Sequence, residues 1–72
     1  MNVEWSATAL DDWRRLSLDD AAKVARAVAR FADAGEGTVI YVEAEFRLFV
    51  GVHVVVLLID GDTLHVDRVR RA

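Results

Sequence analysis

The sequence predicts a two-layer α+β domain: strand, helix, helix, then a three- or four-stranded antiparallel meander, with both helices on one sheet face. Three observations carry this. The run Glu45–Val69 (EFRLFVGVHVVVLLIDGDTLHVDRV) reads as successive strands broken by turn residues. The run Ser6–Ala34 has apolar residues at helical spacing. A short strand-like segment precedes that run, so it must reach the sheet through a helical crossover.

In chain order, Asn2–Trp5 is the first strand, with Val3 and Trp5 on one face. Ser6 suits a helix N-cap. Thr8–Leu16 is a short helix with Ala9, Leu10, Trp13 and Leu16 at helical spacing. Asp11 and Asp12 lie early in it and Arg14 and Arg15 late, the signs a helix dipole favours. Ser17 to Asp20 is a capping-box-like S-x-x-D, with Leu16 placed to staple against Ala21. The second helix runs to about Ala34, with an apolar stripe of Leu18, Ala21, Val24, Ala25, Val28, Phe31 and Ala32. Gly35 is its left-handed C′ residue. Thr38–Val42 has strand composition, and Glu43-Ala44 is its turn or its continuation.

In the meander, Phe46, Leu48 and Val50 alternate with Arg47 and Phe49. Gly51 marks a turn or bulge. Val52–Ile59 is apolar apart from His53, the pattern of a central strand. Asp60-Gly61-Asp62 is a hairpin signal. Thr63–Val69 returns, with Leu64 and Val66 on one side and His65 and Asp67 on the other.

Size and composition bound the rest. The chain has 72 residues, which fits a single domain over residues 1–72. It has no cysteine, so a disulfide framework and thiolate metal sites are excluded, and a reducing cytoplasm suits it. Neither a signal peptide nor a bilayer-length apolar run is visible. The formal net charge of −3 disfavours broad, charge-driven binding to nucleic acid. His53 and His65 are the only histidines, too few for a metal site, and no cofactor motif is present. Lys23, Arg26 and Arg30 read as a solvated helix face. Arg47, Arg68, Arg70 and Arg71 are the candidate contacts for an anion or RNA.

The residues resemble a known family. Val3-Glu4-Trp5-Ser6-x-x-Ala9-x-x-Asp12 is similar to the opening of the RelE/ParE-type toxins of bacterial type II toxin–antitoxin systems. Phe46-Arg47-Leu48-Phe49-Val50-Gly51 resembles that family's aromatic-Arg-Leu-x-Val-Gly hairpin. Ile59-Asp60-Gly61-Asp62-Thr63-Leu64-x-Val66-x-Arg68-Val69 resembles its closing hairpin. The resemblance implies the same fold and an antitoxin partner. Its ribosome-dependent members cleave mRNA with basic residues and a late tyrosine. Arg47 matches one basic position, but Phe49 and Val54 stand where basic residues are usual. The late Arg and Tyr have no counterpart unless Arg70 or Arg71 substitutes.

The expectation is therefore a toxin component that acts mainly by protein binding, to an antitoxin and to a cellular target such as gyrase, with weak or no ribonuclease activity. The alternatives are a ribosome-dependent mRNA endonuclease and a degenerate, self-associating module. One face of the central strand carries Val52, Val54, Val56 and Leu58. Two helices cover only one side of a sheet, so this apolar face is expected to meet another chain, the antitoxin or a second copy in a homodimer.

Overall fold

The structure, a computed structural model, describes residues 1–72. Its elements follow the chain as β1 (Asn2–Trp5), α1 (Ala7–Arg14), α2 (Leu18–Ala34), β2 (Thr38–Val42), β3 (Glu45–Val50), β4 (His53–Asp60) and β5 (Thr63–Arg71). The sheet order is β1-β5-β4-β3-β2, so β4 is the central strand, as its continuous apolar run requires. β2 to β5 form an antiparallel meander, and β1 pairs parallel with β5 through the helical crossover.

Period-two alternation sends Leu48, Val55, Leu57, Leu64 and Val66 to the helix side, where they pack with Ala9, Val24 and Val28. Fully burying each leucine or valine contributes roughly 1.5–3 kcal/mol. The caps are those the sequence signals. Ser6 and Ser17 accept from the Ala9 and Asp20 amides, and Gly35 closes α2 at φ 68°. Trp5 and Trp13 meet edge to face at 6.0 Å, and Trp13 Nε1 donates to the Ala21 carbonyl across the helix junction.

Four expectations need correction. α1 stops at Arg14, and Asp12 serves β5 rather than the helix dipole: the Val69 amide donates to Asp12 Oδ2 at 3.0 Å. Leu18 is 92% exposed, because it starts α2 on the side away from the sheet. Val52 is not on the central strand, since Gly51 and Val52 form the two-residue loop between paired Val50 and His53. β5 continues past Val69 to Arg71 and carries a bulge. Val66 pairs with Leu57 and Arg68 with Val56, which leaves Asp67 without a partner.

Glu43-Ala44 is a turn. Both residues have positive φ, 53° and 65°, as a two-residue hairpin of type I′ demands. Neither residue favours that region, since its Cβ crowds the following carbonyl. Ala44→Gly should therefore raise stability by about 1 kcal/mol, with the fold unchanged. Urea unfolding measures it, and an unchanged or lower midpoint would show that the turn stores no strain.

Candidate anion-binding face

The side of the sheet away from the helices holds Arg47, Arg68, Arg70, Val54, Val56 and Leu58, while Arg71 aligns with His53 at the end of β5 and Val52 lies in the β3–β4 loop. Strand register sets them in rows. Thr38, Phe49, Val54 and Arg70 are aligned across β2, β3, β4 and β5, and Ile40, Arg47, Val56 and Arg68 form the next row. The arginines reach this face because of the bulge. Leu64 and Val66 point to the helices, so unbroken alternation would send Arg68 and Arg70 inward too. The extra residue, Asp67, inverts the phase: Val69 is 5% exposed in the core, and Arg68 and Arg70 are exposed.

The apolar face differs from its sequence reading. Val54 and Val56 do lie on the open side, but they are only 5% and 1% exposed. Their cross-strand neighbours are Phe49 and Arg70 for Val54, and Arg47 and Arg68 for Val56. Long side chains lay apolar stems over small neighbours while keeping their polar heads in water. The chain thus covers the middle of its own face without a second layer. The large apolar side chains still exposed there are Ile40, Phe49 and Leu58. In the sequence Phe49 shows as an alternating strand residue and as the replacement of a basic one, and Ile40 carries no signal beyond strand composition. The register through Arg47 is what sets Ile40 on this face.

Arg47, Arg70 and Arg71 meet around one open concavity of about 420 Å³, lined also by Ile40, Phe49 and Val54. They are not equivalent. Arg47 Nε and Nη2 both donate to Glu45 Oε1, at 3.2 and 3.1 Å, and Glu43 Oε2 stands 3.7 Å from Nη2. Arg68 Nε donates to Asp67 Oδ2 at 3.2 Å. Arg70 and Arg71 are in no ion pair. The site therefore has two free cations at one end and a guanidinium already neutralised near the other.

Groups for acid–base chemistry are elsewhere. The single tyrosine, Tyr41, pairs with Phe46 on the helix side, their rings 4.7 Å apart. His65 approaches Glu4 at 3.7 Å, beside the β1 edge. His53 is half-buried and aligned with Val50, on the core side. No three His, Asp or Glu side chains are grouped to hold a metal. No helix is long and apolar enough to cross a membrane.

Val54→Arg places a fourth long cation on this face. Its head can reach water over the open side, so the monomer should stay folded at a cost under about 2 kcal/mol. Circular dichroism and thermal melting check this. A mutant without a cooperative transition would mean that Val54 belongs to a closed core.

No protein-family model and no curated protein matches the chain. Solved structures do. A chain of the chromosomal ParDE toxin–antitoxin system from P. aeruginosa superposes with TM-score 0.82 at 13% identity, covering 100% of this chain and 96% of that one. The intact E. coli RelBE toxin–antitoxin complex gives 0.80 at 12% identity, covering 99% and 95%. The YoeB–YefM complex from Staphylococcus aureus gives 0.80 at 13% identity, covering 100% and 97%. These superpositions cover 99–100% of this chain. The fold of this chain is the RelE/ParE-like toxin fold.

Proposed function

We propose that the chain is the toxin component of a toxin–antitoxin pair, and that it acts by binding proteins, its antitoxin and a cellular target such as gyrase, rather than by cutting RNA. The observation that carries this is the composition of the open face. Its middle is valine and phenylalanine. Arg47 is tied to Glu45 and Glu43, and the tyrosine is on the other side of the sheet. Cleaving RNA through its ribose hydroxyl requires groups that move a proton and stabilise charge at one point. Arg47, Arg70 and Arg71 can supply charge, but no acid–base partner converges with them. The chain's fold likeness to members of three toxin–antitoxin complexes supports the antitoxin as a partner.

The test is expression of the chain alone and with the product of a neighbouring open reading frame. Growth arrest relieved by that second product, with transcripts uncut and plasmid supercoiling altered, is the expected result. Cuts positioned at translating ribosomes would overturn it. They would favour the second reading, a ribosome-dependent endonuclease, for which the shared concavity of Arg47, Arg70 and Arg71 is the supporting observation.

A further inference from the structure

The open face is charged unevenly along its strands. Arg70 and Arg71, both unpaired, lie where β4 begins and β5 ends; Arg70 is in the open-face row, and Arg71, aligned with His53, borders the same concavity at the strand end. Glu43 and Glu45 lie at the opposite end, beside the β2–β3 turn, and share the one guanidinium of Arg47. Two acids against one base leave that end negative. Between the ends lie Ile40, Phe49 and Val54. Glu45 and Phe49 are four residues apart on β3, a separation of about 13 Å.

From this pattern we infer that the face takes a mixed-charge peptide segment of a partner protein, with its acidic end on Arg70 and Arg71, apolar side chains on Phe49 and Ile40, and its basic end on Glu43 and Glu45. The inference rests on the protein-binding reading above and specifies the chemistry of that partner. A polyanion such as RNA fits less well. It gains from Arg70 and Arg71 but meets Glu43 and Glu45 about 13 Å further on, and like charges across an interface select against a partner. An extended segment laid diagonally from β5 to β3 satisfies both ends with charges about five residues apart, since it spans about 13 Å along the strands and about 10 Å across two strand spacings.

Short synthetic peptides with fluorescent labels test this, read by anisotropy on the full chain. One carries two aspartates, a leucine-rich middle and two lysines, made in both chain directions. The controls are the same peptide with both ends acidic and a single-stranded oligouridylate. The mixed-charge peptide, in one direction, should bind about ten-fold tighter than either control. Arg70→Glu with Arg71→Glu should abolish that preference. Glu43→Lys with Glu45→Lys should transfer it to the all-acidic peptide, with circular dichroism as the folding control. Equal or tighter binding of oligouridylate, or binding of no peptide, overturns the inference. The two readings fail separately. A neighbouring gene product that binds the wild type and both charge-reversed variants equally would sink the mixed-charge segment and leave the antitoxin partner standing. Peptide discrimination as stated, with no binding by that product, would do the reverse.

Discussion

Gly37→Ala should destabilise the domain by about 2–4 kcal/mol, from backbone strain and overpacking together. The residue has φ 142°, a region that is almost glycine-only. A Cβ built there lies 2.7 Å from Leu48 Cδ1. That methyl ends a flexible side chain, but Leu48 is 1% exposed within the main core cluster, so it has little room to turn away. A cycle with Leu48→Ala separates the two costs. Truncating Leu48 removes the clash and leaves the backbone strain. Gly37→Ala should then cost at least about 1 kcal/mol less in that background. Guanidinium unfolding of the four variants measures this. An unchanged midpoint in the single mutant would mean that the β2 entry relaxes freely. The effect bears on function because β2 starts one residue later and carries Ile40 to the open face.

Most of the fold is legible from local pattern. Hydrophobic period, serine caps and Gly35 place both helices, and the apolar run around Val55 and Leu57 marks the central strand. What local pattern hides is phase. Leu64 and Val66 are two apart, while Val66 and Val69 are three apart, and that slip is the bulge written in the sequence. Read without it, Val69 falls on the wrong side and the later arginines have no assigned face. The Glu43-Ala44 turn is illegible for another reason: two residues that disfavour positive φ are held there by strand pairing on both sides. At the site, Arg47, Arg68, Arg70 and Arg71 could be listed from sequence as cations. Only the structure ranks them by which are already paired. The cover over Val54 and Val56 depends on cross-strand neighbours, which no single strand reveals.

Asp12→Ala should cost about 1.5–3 kcal/mol and weaken partner binding beyond what that loss of stability explains. Asp12 accepts from the Val69 amide, Ser6 Oγ donates to the Asp67 carbonyl at 2.7 Å, and the Ser6 amide donates to the Val66 carbonyl at 2.9 Å. Three bonds from the start of the chain thus fasten Val66, Asp67 and Val69, around the bulge. A bulge frees backbone groups from the ladder, and a half-buried amide left without an acceptor is penalised. Asp12 acts as a positioning residue: it lies on α1, off the open face, and its bond to the Val69 amide holds the phase that turns Val69 in and Arg68 and Arg70 out. Asp12→Asn retains an acceptor oxygen and should recover most of the stability and the binding. Hydrogen exchange at the Val69 amide reads the bond directly and should accelerate in the alanine variant but far less in asparagine. If the alanine variant loses stability while charge reversal at Arg70 changes binding as strongly as in the wild type, Asp12 only holds α1 to β5, and the bulge keeps its phase without it.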